Sequence, residues 1–179
     1  MDRPLRVLVV CTANICRSPA AAAYLRSHAA ERGLDVDVSS AGFLYDGEPA
    51  SETMAKVMVE RGFDLSEHRS RIVDCAMVEA ADLVVTMERR HGRELASKCG
   101  PTGVFTLRGA IRALSSVGPD LVDPLDRLRA AEAGRLAGDL LGSGEDEVPD
   151  PFGKSMRVNR RAADDLRALT EHLLQLLVP

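Results

Sequence analysis

The chain has 179 residues, of which 45% are hydrophobic and 28% charged, with a formal net charge of −4. This is the size and composition of one globular domain able to bury a core, and too apolar for a disordered chain. The acidic balance speaks against general nucleic-acid binding, no apolar run approaches the ~20 residues of a membrane span, and Val7 to Val10 is too short for a signal-peptide core, so a cytoplasmic protein without membrane insertion is expected.

In chain order, Leu5 to Val10 is a β-rich apolar run and reads as a buried strand. Ser18 and Pro19 then open a helix, Ser as its N-cap and Pro at its first position, which alanines carry to about Arg32 and Gly33 ends. Val36 to Ala41 reads as a second strand and Ser51 to Arg61 as a helix stopped by Gly62. Asp82 to Met87 is a third buried strand, followed by a helix over Glu88 to Lys98, and Gly103 to Leu107 is a fourth strand. Between 108 and 149, Leu121, Leu125 and Leu128 are helically spaced, while Gly134 and Gly138 break any single long helix. The acidic tract Gly142 to Pro149 reads as an exposed loop. Finally, Ala162, Leu166, Leu169, Leu173 and Leu176 form the core-facing stripe of a last helix.

Alternating strands and helices predict an α/β fold: a three-layer sandwich with a central, about four-stranded parallel sheet and helices on both faces. Ligands of such sheets bind at the carboxyl ends of strands, where the segment after Val10 lies. The four cysteines (Cys11, Cys16, Cys75 and Cys99) read as thiols rather than a disulfide framework, with Cys75 and Cys99 structural. The histidines (His28, His68, His91, His172) are scattered and no cysteine pairs have finger spacing, so no metal site is expected.

The segment Cys-Thr-Ala-Asn-Ile-Cys-Arg-Ser-Pro, from Cys11 to Pro19, carries chemistry. If it curls back on itself, the backbone amides of Thr12, Ala13, Asn14, Ile15 and Cys16 form an anion nest over the Cys11 thiol. The following helix adds its positive N-terminal end, and Arg17 a planar charge that fits two phosphate oxygens. The same positive charge suits a thiolate nucleophile. The result is a cradle for a tetrahedral oxyanion with a nucleophile at its base.

These residues resemble the low-molecular-weight protein tyrosine phosphatases, whose loop has the form Cys-x5-Arg-Ser-Pro with Asn and a second Cys inside it, here Cys11, Asn14, Cys16, Arg17, Ser18 and Pro19. Ser40-Ala41-Gly42, the run from Leu65 to Arg71 with His68 in it, the strand ending at Met87 and Asp150-Pro151-Phe152 look like further landmarks of that family in the right order. The resemblance implies a cofactor-independent hydrolase of phosphotyrosine in protein substrates, one domain over 1–179 and a monomer. Cys11 would attack phosphorus to form a phosphocysteine, with Arg17 and the loop amides holding the phosphoryl oxygens. Ser18 would hydrogen-bond the thiolate, and Asp150 would act as general acid and then base. Asn14, supported by Ser40 and His68, would hold the loop's strained turn. Phe152 would form one wall of the cleft, with Tyr45 as candidate for the other. Cys16, at the loop's far end, is read as a redox guard that pairs reversibly with Cys11.

The chain departs from the pattern at several places. Ala13 stands where the family usually has Gly, the helix after Pro19 begins with alanines instead of an acidic residue, and Phe152-Gly153 replaces the usual tyrosines. The stretch at about 108–147 looks like a helical insertion. Three competing readings share the loop. Protein arginine phosphatases usually carry Thr before the second Cys, where this chain has Ile15, an apolar residue better suited to an aryl ring. Arsenate reductases relay electrons through closely spaced downstream cysteines, and Cys75 and Cys99 are far apart in sequence. A phosphate-binding module without turnover would need no acid, yet Asp150 is present.

Overall fold

The computed structural model describes residues 3–100, 103–135 and 144–179. Four parallel strands, β1 (Leu5–Val10), β2 (Val36–Ala41), β3 (Leu83–Thr86) and β4 (Val104–Thr106), pair in the order β2-β1-β3-β4. Each is connected to the next through helix: α1 (Arg17–Glu31) after β1, α2 (Glu52–Val59) and α3 (Cys75–Ala80) after β2, and α4 (Arg89–Cys99) after β3. Beyond β4 come α5 (Leu107–Ser115), α6 (Pro124–Ala133), a 3-10 turn (Gly144–Asp146) and α7 (Met156–Leu177).

Period-two alternation sends Leu5, Val7 and Val9 to one face of the sheet and Leu8 and Val10 to the other. The first group packs with residues of α1, α2, α5, α6 and α7, the second with Val73, Val78 and Leu95 on the α3–α4 side. Burial on both faces explains the continuous apolar runs Val7 to Val10 in β1 and Leu83 to Val85 in β3. The order 2-1-3-4 makes the chain leave β1 one way and return on its other side at β3. A crevice therefore opens at the carboxyl ends of these two neighbours. Val10 pairs with Thr86, so the residues following each, Cys11 and Met87, are delivered side by side.

The expected three-layer architecture holds, with differences in detail. Helix α1 begins at Arg17, two residues early, and Cys16 precedes it without a side-chain cap. Ser18 is not the N-cap, because its hydroxyl is used inside the loop; Pro19 is tolerated in the first turn, where no amide partner is needed. Gly33 ends the helix at φ 65° as expected. The last helix buries Asn159, Ala163, Leu166, Thr170, Leu173, Leu174 and Leu177, so its core face is centred one residue beyond the leucine stripe, with Leu169 and Leu176 at its edge. Part of the acidic tract is not an exposed loop: Asp146 is buried in an ion pair with Arg112 and Val148 is buried; residues 136–143, including Gly138, lie outside the described residues. Within 108–135, Leu125 and Leu128 lie on α6, and Leu121 precedes it. Asp123 caps α6 by accepting from the amides of Leu125 and Asp126. Buried Arg127 ties α6 to the chain by donating to the carbonyls of Gly118, Leu121 and Leu176.

Cys75 and Cys99 are not free thiols but a disulfide, joining the start of α3 to the end of α4. Their separation of 24 residues concealed the contact, because β3 carries the chain across the sheet and α4 brings it back. Among the described residues, no helix is long and apolar enough to cross a membrane, and no group of His, Cys, Asp and Glu could hold a metal ion.

Candidate active site

The loop from Cys11 to Arg17 curls at the carboxyl end of β1, and both its cysteines are free and buried. Cys11 Sγ lies 3.0 Å from Ser18 Oγ. Ser18 Oγ accepts from Asn14 Nδ2 at 2.9 Å, which leaves its proton for the sulfur or for the Ala41 carbonyl at 3.5 Å. Asn14 is the organiser. It is fully buried and the one described non-glycine residue with positive φ, 54°, a conformation that Asn tolerates better than most. Its Nδ2 also donates to Ser40 Oγ at 2.9 Å and its Oδ1 accepts the Arg71 amide at 2.9 Å. His68 Nε2 donates to the Asn14 carbonyl at 2.6 Å, and burial lowers the His68 pKa despite that bond. Ser40 and His68 thus stand where loop support was expected.

The loop rests on the end of β2. A Cβ on Gly42 would lie 2.6 Å from the Asn14 amide nitrogen and 2.8 Å from the Ala13 carbonyl carbon, so only glycine fits there. The Phe43 amide donates to the Thr12 carbonyl at 2.7 Å, and Ser51 donates its amide to the Ile15 carbonyl at 2.7 Å. Ile15 is buried and Ala13 half-buried.

Arg17 is 1% exposed, and its guanidinium is held from several sides. One NH donates to Glu88 Oε1 at 2.6 Å and to the Val148 carbonyl at 2.9 Å. The other donates to Asp150 Oδ2 at 2.7 Å and Thr12 Oγ1 at 3.2 Å. Burial works to raise the Glu88 pKa, but hydrogen bonds from Arg90 and Arg17 and the charge of Arg17 outweigh it and hold Glu88 at about 2. Thr12 Oγ1 also meets Arg90 NH2 at 2.8 Å and His91 Nε2 at 2.9 Å. Since two guanidinium groups donate to this oxygen, its own proton goes to His91. That requires a neutral imidazole, and burial pushes the His91 pKa down to about 4. Phe43 stacks on the His91 ring at 5.5 Å.

Asp150 arrives from the far end of the chain. The Val148 amide donates to the Met87 carbonyl at 2.8 Å, fastening the acid-bearing loop to β3. Buried Asn159, on the first turn of α7, donates to the carbonyls of Pro151, Lys154 and Ser155. Its Oδ1 faces Cys16 Sγ at 3.9 Å. Burial raises the Cys16 pKa to about 12, which favours its neutral thiol form. Phe152 and Tyr45 are both exposed, Phe152 two residues after Asp150 and Tyr45 two residues after Phe43, on the segments that border the loop.

Sequence reasoning missed Glu88, Arg90, His91, Asn159 and the close packing of Gly42. Two signals were available. Glu-Arg-Arg-His directly follows the third strand, and Asn159 falls on the core stripe of α7 when that stripe is extended backwards.

The sequence profile described as low molecular weight phosphotyrosine protein phosphatase matches residues 6–132. The chain belongs to this family. Asp150 lies beyond the matched stretch, and its place in the site rests on the contact with Arg17. A low molecular weight protein-tyrosine-phosphatase of Streptomyces coelicolor is 32% identical over 152 residues, 74% of this chain and 92% of that protein. The probable low molecular weight protein-tyrosine-phosphatase EpsP of Ralstonia solanacearum is 40% identical over 92 residues, 51% of this chain; the match spans 61% of the relative's length. A protein-arginine-phosphatase of Bacillus subtilis is 28% identical over 174 residues, 96% of this chain and 95% of that protein. Among solved structures, the YwlE arginine phosphatase with a phosphorylated active-site serine superposes with a TM-score of 0.74 at 28% identity, covering 95% of this chain and 93% of that one. A low molecular weight protein tyrosine phosphatase from T. tengcongensis gives 0.71 at 28% identity, covering 96% and 98%.

Proposed function

We propose that this protein hydrolyses phosphotyrosine in proteins through a phosphocysteine intermediate. The observation that carries the reading is the buried Arg17, paired at once with Glu88 and Asp150 beside the Cys11–Ser18 contact. A nucleophile, a fixed cation and a carboxylic acid then meet around one position. In the first step Cys11 Sγ attacks phosphorus as a thiolate while the bond to the tyrosyl oxygen breaks. The arriving phosphoryl oxygens take the Arg17 NH2 arm from Asp150, the released carboxylate takes up a proton from solvent, and the resulting carboxyl group protonates the leaving oxygen. Arg17 and the amides of Thr12 to Cys16 hold the equatorial oxygens, so positive charge is supplied without a metal ion. In the second step Asp150 takes a proton from water, the water oxygen attacks phosphorus, and the thiolate departs into the hydrogen bond from Ser18. Asn14, Ser40 and His68 keep the loop in its strained curl. Phe152 and Tyr45 serve as exposed aromatic walls for an aryl substrate. The chain is read as a cytoplasmic monomer forming a single domain, with the helical pieces at 108–147 as an insertion.

The arginine phosphatase reading has a specific support, the full-length likeness to the Bacillus proteins. Ile15 favours tyrosine, because an apolar side chain there gives a guanidinium no hydrogen-bond partner. Matched phosphotyrosine and phosphoarginine peptides, assayed for phosphate release with a chelator present, separate the two. Turnover of phosphotyrosine, abolished in Cys11→Ser, is the expected result. Preference for phosphoarginine would keep the chemistry and replace the substrate, and no turnover of either would leave a phosphate-binding module.

A further inference from the structure

Arg90, on the first turn of α4, is not used by the chemistry above. Its side chain is 60% exposed, yet it is aimed. Nε donates to Glu88 Oε2 at 2.6 Å and NH2 to Thr12 Oγ1 at 2.8 Å. Arg17 donates to the same Thr12 oxygen and to the same Glu88 carboxylate. Two guanidinium groups therefore converge on one hydroxyl of the phosphate cradle, one buried beneath it and one open to solvent. The Arg90 pKa is raised first by the hydrogen bond to Glu88, against burial, and then by the charges of Glu88, Asp150 and Glu147. Those last two carboxylates lie on the segment that carries Asp150, so Arg90 is within electrostatic reach of that segment while it touches Thr12. Its NH1 donates to no protein group among the described residues.

A scaffolding role alone does not account for this placement. Glu88 is already clamped by the buried Arg17 at 2.6 Å, and Thr12 Oγ1 already has His91 and Arg17. Ordering a long exposed side chain has an entropy cost that a second clamp does not require. The unengaged NH1 of this guanidinium is suited to a carboxylate oxygen, to which it donates a charge-assisted N–H bond.

We propose that Arg90 is a specificity-determining residue that receives the carboxylate of an Asp or Glu flanking the phosphorylated residue of the substrate protein. This rests on the phosphatase reading. The substrate class is then an acidic phosphoprotein segment: Arg17 takes the phosphoryl group, and Arg90 takes the neighbouring acid.

The test uses peptides of one sequence with Glu or Lys flanking phosphotyrosine, and the readout is the ratio of their kcat/KM values in each variant. The wild-type protein prefers the Glu peptide by about two- to fivefold, the range of an exposed ion pair. The preference resides in KM and shrinks as salt is added. Arg90→Gln brings the ratio to unity and Arg90→Glu inverts it. A residue that only braces Thr12 and Glu88 would slow both peptides alike and leave the ratio untouched. That result, or a wild-type ratio of one, overturns the proposal. The same pair is made with phosphoarginine. Turnover confined to that pair refutes the tyrosine reading while the ratio still reports on Arg90, and no turnover of any peptide sinks both.

Discussion

At the scale of single residues, the tightest constraint in the site is backbone against backbone. Gly42 presses on the amide of Asn14 and the carbonyl of Ala13, where no side chain can yield. Gly42→Ala is therefore expected to cost about 1–3 kcal/mol of stability by overpacking. It should also lower kcat/KM by about a hundredfold, since a loop displaced by an ångström misplaces the cradle. Denaturant melts and turnover of a small aryl phosphate check both, and wild-type values would show that the loop yields without loss. Asn14, Arg17 and Ser18 could be read from the sequence because their spacing from Cys11 is local. Glu88, Arg90 and Asn159 were missed: their positions carried a signal, but their roles exist only after β1 and β3 pair and α7 docks. Ser18 shows the same limit: local rules make it a helix cap, and the sulfur of Cys11 takes its hydroxyl instead.

At the scale of elements, all four strands were legible: β1 and β3 from continuous apolar runs, β2 and β4 from short β-rich segments bounded by turn residues. What local pattern could not show was pairing across elements. The Cys75–Cys99 bond ties α3 to α4 and leaves the opposite end of α4 to carry Arg90 and His91. Cys99 is about 14 Å along the helix from Arg90 at 1.5 Å per residue. The bond is thus expected to act on stability more than on chemistry. Closing a loop of 24 residues contributes about 3 kcal/mol in the chain-entropy account. Cys75→Ser with Cys99→Ser should lower the urea midpoint accordingly while kcat stays near the wild-type value, and a dithiol reductant should shift wild type alone. An unchanged midpoint would show that the bond contributes nothing. The acidic tract taught a related lesson. Charge alone places Asp146 in solvent, but Arg112 gives it a partner under the chain.

For the whole molecule, groups whose pKa is lowered on folding shape the response to acid. His91 titrates near 6.5 when unfolded and near 4 when folded, because burial disfavours its charged form. Below about 6.5 the unfolded chain binds a proton that the native state refuses, so stability is full above that pH and declines toward 4. His68, also lowered by burial, acts in the same direction. Glu88, at about 2 folded against 4.5 unfolded, adds a further loss as pH falls from 4.5 toward 2. The free energy of unfolding measured from pH 7 to 4 should slope downward in wild type and less steeply in His91→Gln. Equal slopes would mean that His91 is not the titrating group. The pairing of Arg17 with Asp150, 133 residues apart in sequence, has its own consequence. Nucleophile and cradle leave the ribosome well before Asp150 and the Asn159 that anchors its loop. On the proposed mechanism, a chain that lacks the later segment would hold the phosphate cradle without its proton donor, so full turnover is expected only once both halves have met and would double as a reporter of complete folding.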